Sequence, residues 1–211
     1  MSAFPEIFSF ASCPVSGELG DDAVVEYRNE CSQCRRNDRI VTTFDYRLDA
    51  WSGEEMLTYD NLYALTRRLA RQIEASGCTG VKFQPMVVST GKMFADMSAR
   101  TAKEIPPFQQ MVIETSLDPK AMSPSGWWIR KAPCPSCGRA IWDHSPAVDA
   151  AIMAPLQGVV GPPREVARAG WPGTDIYYHE DPGPPLVTAR FKNALESERV
   201  KGVAFHPARW V

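Results

Sequence analysis

The chain has 211 residues, a net charge of −2, six tryptophans, nine phenylalanines and eighteen prolines. That is long enough for one compact domain or two small ones with a real core, and the proline content predicts many loops rather than long helices. The near-neutral charge gives no general electrostatic case for nucleic-acid binding, and no apolar run approaches the length of a membrane span.

The first residues, MSAFPEIFSFASCPVSG, lack a basic segment and are broken by Pro5, so they do not read as a secretory signal. A reducing, cytoplasmic setting is the expectation, and there paired cysteines favour metal over disulfides. Cys13 falls in a loop-like stretch. Next comes Cys31-Ser32-Gln33-Cys34, a CxxC turn followed by Arg35. The acidic pairs Asp21-Asp22, Glu54-Glu55 and Glu180-Asp181 read as solvated loops.

From residue 60 a helix is predicted, capped by Asp60, with a buried stripe of Leu62, Leu65, Leu69 and Ile73. Gly77 ends it in the left-handed conformation, and Val81 and Phe83 alternate with Lys82 and Gln84 as in a half-buried strand that ends at Pro85. Trp127-Trp128 precedes the second CxxC turn, Cys134-Pro135-Ser136-Cys137, which is followed by Gly138. A Pro/Gly-rich stretch from Pro155 to Gly173 leads to a second helix after Pro184 and Pro185, and to a strand containing Val203 and Phe205.

Thr66–Pro85 and Thr188–Pro207 align without a gap and share seven identities: Thr66/Thr188, Arg68/Arg190, Glu74/Glu196, Gly80/Gly202, Val81/Val203, Phe83/Phe205 and Pro85/Pro207. Leu69/Phe191 and Ile73/Leu195 also match as apolar positions. The expected fold is therefore α+β, two related helix–turn–strand halves, 1–104 and 105–211, joined by a four-cysteine zinc site.

In such a site Cys31, Cys34, Cys134 and Cys137 each supply a thiolate at about 2.3 Å to one tetrahedral, structural Zn2+. The glycine after Cys137 lets the second turn close; Arg35 occupies that position in the first. Two alternatives stand beside the metal. Cys134 and Cys137 form a thioredoxin-type redox pair only if a helix starts there to lower a thiol pKa, and GRAIWDHSPAVD is a poor helix start. The other alternative is four reduced cysteines without metal. Cys78 reads as a small core hydrophobe. Of the histidines, His144 lies near enough to the second turn to substitute as a ligand, while His179 and His206 belong to no metal pattern.

The chain has no GxSxG, P-loop or GxGxxG motif. No constellation carries catalysis, so it is read as not an enzyme and as having no small-molecule substrate. The pairs Arg35-Arg36 and Arg67-Arg68 are too small to make a basic face.

The two CxxC turns, each followed at a distance by a helix and a Gly-Val-x-Phe-x-Pro strand, resemble the bacterial double-CXXCG protein family; Arg35 departs from the glycine of that motif. The stretch from about Ile176 to Pro207 also resembles the C-terminal phrase of several immunity-protein families in polymorphic toxin systems. The resemblance implies an immunity protein that binds and neutralises a cognate protein toxin in the producer's cytoplasm, with no catalytic residue. A zinc-ribbon nucleic-acid-binding module and a metal-stabilised enzyme are the alternative readings.

Overall fold

The structure, a computed structural model, describes residues 4–12, 17–36, 38–59, 62–97, 104–115, 128–146, 150, 163–169, 171–178, 184–196, 200 and 203–211. In chain order these form β1 (Ile7–Ser12), β2 (Gly17–Leu19), β3 (Val24–Arg28), β4 (Asp38–Thr43), β5 (Asp45–Leu48), β6 (Met56–Tyr59), β7 (Leu62–Thr66), α1 (Arg67–Ala75), β8 (Val81–Pro85), β9 (Val87–Thr90) and α2 (Phe94–Met97). There follow β10 (Phe108–Ile113), β11 (Trp128–Lys131), β12 (Ile141–His144), β13 (Arg164–Val166), β14 (Ile176–Tyr177), β15 (Leu186–Thr188), α3 (Ala189–Glu196) and β16 (Val203–Trp210). Among the described residues no helix is long and apolar enough to cross a membrane.

Two larger sheets carry the body, in the orders β13-β16-β1-β15-β14 and β6-β7-β10-β8. A three-stranded sheet, β2-β5-β9, adds to it, and β3-β4 and β11-β12 are separate two-stranded hairpins. The main core lies where the large sheets meet α1 and α3: Phe10, Leu65, Leu69, Ile73, Met111, Phe191 and Leu195 are all buried there. The two helices touch, and Gln72 Nε2 donates to the Ala194 carbonyl at 2.7 Å. A second cluster gathers Phe44, Tyr46, Leu48, Trp51, Leu57 and Phe108.

The expected α+β fold of two related helix–turn–strand halves is corrected by this architecture. Among the described residues strand accounts for 46%, spread over several sheets, and helix for 14%. The error has a physical source in residues 62–66. Their apolar spacing predicts the first turns of a helix, but they form β7, buried from Tyr63 to Thr66 on both faces. A strand buried on both faces loses its period-two signature and reads as an apolar run. Helix α1 begins only at Arg67, and its N-cap is Thr66, whose hydroxyl accepts from the Leu69 N–H at 3.4 Å; Asp60, the expected cap, lies outside the described residues.

The C-terminus of α1 follows the sequence. Gly77 has φ +65°, its N–H reaches the Glu74 carbonyl at 3.0 Å, and the Cys78 N–H reaches that of Ile73 at 3.4 Å, the paired bonds of a Schellman ending.

Each matched segment runs strand–helix–strand around an intervening antiparallel strand. In the first, β10 pairs Phe108 with Thr66 and Met111 with Phe83. In the second, β1 pairs Ile7 with Thr188 and Phe10 with Phe205. The intervening strand follows the segment in one case and comes from the far N-terminus in the other. The likeness is local and does not organise the chain into two halves.

Asp175 fastens the two regions together. It is 7% exposed. Its carboxylate accepts from the Thr79 N–H (2.9 Å) and hydroxyl (3.0 Å), from the Thr188 hydroxyl (2.8 Å), and from Arg190. Arg190 also reaches the Gly77 carbonyl at 2.9 Å. Gly80 is needed beside this joint: at φ +87°, a Cβ there would sit 2.3 Å from the Ile176 carbonyl oxygen.

Candidate metal centre

Each CxxC turn sits at the tip of a two-stranded hairpin. Cys31–Cys34 joins β3 to β4, and Cys134–Cys137 joins β11 to β12. The turns close with the same bonds. In the first, the Arg35 N–H donates to the Cys31 carbonyl (2.8 Å) and the Cys31 N–H to the Arg36 carbonyl (2.9 Å); in the second, Gly138 donates to Cys134 (2.8 Å) and Cys134 to Arg139 (2.9 Å). Both turns need a left-handed residue after the second cysteine. Gly138 takes φ +71°, and Arg35 takes φ +58° in its place. The missing glycine leaves the first turn's shape intact, at the steric cost an L-residue carries in that region.

The tips meet face to face. Cys31 and Cys134 Sγ are 3.8 Å apart, Cys34 and Cys137 Sγ 3.7 Å, and all four sulfurs lie within 4.8 Å of one another. These separations are far longer than a disulfide bond of about 2.05 Å, so the site holds four thiols. The 3.8 and 3.7 Å separations match the edge of about 3.8 Å of a tetrahedron with metal–sulfur bonds of about 2.3 Å. Cys31 and Cys134 are buried, Cys34 is half-buried and Cys137 exposed.

Turn amides shape the thiols. The N–H groups of Cys34 and Gln33 lower the Cys31 thiol to about 6 despite its burial. Those of Cys137 and Ser136 likewise lower Cys134. At Cys137 the Arg139 N–H pulls downward, but desolvation and the three neighbouring sulfurs push the thiol up to about 11. Four sulfurs this close cannot all ionise alone; a cation at their centre removes that conflict.

The clasp extends beyond the cysteines. Arg36 Nη1 donates to the Ala140 carbonyl (2.6 Å), and Arg139 Nη1 to the carbonyls of Arg36 (2.7 Å) and Asn29 (3.0 Å). The Ser136 hydroxyl donates to Gln33 Oε1. Four of these facing pairs, Cys31/Cys134, Cys34/Cys137, Gln33/Ser136 and Arg36/Arg139, are each 103 residues apart. From the sequence Arg36 is weighed only as part of a basic pair, and neither it nor Arg139 is given a place in the site, although a signal is present: an arginine follows the first cysteine by five positions in both turns.

The structure thus brings together Cys31, Cys34, Cys134 and Cys137 and leaves the other candidates apart. His144 is not in the cluster; its ring stacks edge-on against Trp128 at 4.5 Å. Cys78 packs beside the main core, its thiol raised to about 11 by burial first and by Asp175 second. His206 lies in β16. Glu54 accepts from the Ser52 N–H and Glu55 pairs with Arg68. Cys13, Trp127, His179, Glu180 and Asp181 lie outside the described residues. Compared with known proteins, the chain matches no family model and no curated relative.

Proposed function

We propose that the chain is a partner-binding protein held in shape by one structural zinc ion, and that its partner is a toxin it neutralises in the cytoplasm of the cell that makes both. Four thiolates in tetrahedral array suit zinc. A set of four protein ligands leaves no open position for substrate, so the ion's role is to hold the hairpin tips together.

The observation that carries this reading is the convergence of the motif residues. Cys31, Cys34, Cys134, Cys137 and Gly138 are the residues on which the resemblance to the double-CXXCG family rests; the four cysteines form one cluster, and Gly138 takes the left-handed position that closes the second turn. Neutralisation by binding needs an interface of about 1,200–2,000 Å² in total and no catalytic group. The test is co-expression with the toxin gene encoded beside this one. Survival with the protein and death without it support the reading; survival in both cases, or death in both, overturns it.

One observation favours the second reading, a nucleic-acid-binding ribbon. Trp128, Arg130, Trp142 and His144 share a face of the β11–β12 hairpin, with the Arg130 guanidinium 5.8 Å from the centre of the Trp142 ring. Aromatic and cationic groups of this kind stack on bases. Quenching of tryptophan fluorescence by a single-stranded oligonucleotide, lost on Trp142→Ala, decides for it.

A further inference from the structure

The N-terminal part of α1 carries three guanidinium groups, on Arg67, Arg68 and Arg71, around a surface groove of about 500 Å³ whose other lining includes Pro106, Pro107 and Thr66. Of the three, Arg68 is matched there by a carboxylate, donating from Nε (3.2 Å) and Nη2 (2.6 Å) to Glu55 Oε1. The Arg67 and Arg71 side chains have no ion-pair partner among the described residues. They stand four positions apart on an exposed face, where like charges repel across one helical turn. Such a pair costs stability, in a chain whose net charge is −2.

We infer that this groove is a docking site for an acidic segment of the partner protein, with Arg67 and Arg71 each taking a carboxylate. The inference rests on the partner-binding reading and adds the chemistry of one contact. Guanidinium forks match carboxylates in bidentate geometry. The prolines give a rigid apolar wall against which the backbone and methylenes of such a segment can lie. A protein segment fits better than a nucleic acid. Among the described residues no aromatic ring lines the groove to stack on a base, and the patch spans a single helical turn, too short to neutralise an extended phosphate backbone.

The test is calorimetric titration of the intact chain with a hexaglutamate peptide, with hexalysine, pyrophosphate and a twelve-nucleotide thymidine oligomer as comparisons. Hexaglutamate should bind, weaken as salt rises, and lose about tenfold or more in affinity on R67E/R71E. Thermal melts confirm that the variant is folded, and R67Q/R71Q provides a second variant with less charge change. No hexaglutamate binding, binding that the variants leave unchanged, or tighter binding of pyrophosphate or the oligomer through the same arginines overturns the proposal. The titration needs no toxin, so failure of the co-expression test leaves it decisive. Where co-expression does protect, full protection by R67E/R71E also overturns the proposal.

Discussion

The sulfurs of Cys31 and Cys134 lie 3.8 Å apart although 103 residues separate them. Both are buried, and both belong to hairpins that sit outside the larger sheets. The contact between the hairpin tips is therefore made by the sulfurs and the arginines around them rather than by shared sheet pairing.

That arrangement predicts a local collapse when a ligand is removed. Cys134→Ser should abolish metal binding and strip amide-exchange protection from residues 24–43 and 128–144. Protection around Leu69 and Phe191, whose packing does not involve the hairpins, should survive longer. Hydrogen exchange read by mass spectrometry checks this. Unchanged protection in both hairpins would show that the cysteines do not hold them.

Arg35 should be improvable. It is a non-glycine residue at φ +58°, and its ion pair with Glu30 is long (3.6 Å) and exposed, a kind worth little. Arg35→Gly relieves the left-handed conformation and should stabilise the chain by about 1 kcal/mol. Gly138→Val should destabilise by a similar or larger amount. Denaturant unfolding of the metal-loaded protein measures both.

Asp175 predicts an acid limit. Burial alone would raise its carboxyl, but bonds from Arg190, Thr188 and Thr79 outweigh that and hold it below its ordinary value of 3.8. A depressed carboxylate stabilises the fold fully above its unfolded pKa, and this contribution is lost as pH falls through the lower folded value. Asp175→Asn should therefore lower stability at pH 7, and the difference from wild type should shrink below about pH 4. Thermal melts across that range check the sign.

Phe191 of α3 is fully buried in the main core, edge-on to Phe10 with ring centres 5.8 Å apart. Phe191→Ala should cost about 3–5 kcal/mol, read by urea unfolding. A loss under about 1 kcal/mol would place this ring outside the packed core.

What the sequence revealed divides along physical lines. The CxxC spacing named the four cysteines because a thiolate knuckle is a local structure with a strict requirement. Gly77 was legible for the same reason: a left-handed helix end calls for glycine. The strand-dominated body was not. Leu62 and Leu65 sit in a short strand buried on both faces, where apolar spacing fits helix and strand alike. No local pattern announces Asp175, because its partners Thr79, Thr188 and Arg190 come from other parts of the chain.

The central claim is a four-thiolate metal clasp, and X-ray absorption at the zinc edge on the purified, untagged protein tests it most directly. The account predicts about one zinc per chain with four sulfur neighbours at about 2.3 Å. Fewer than four sulfurs, nitrogen or oxygen in the first coordination sphere, or protein that binds no metal with all four thiols free would contradict it.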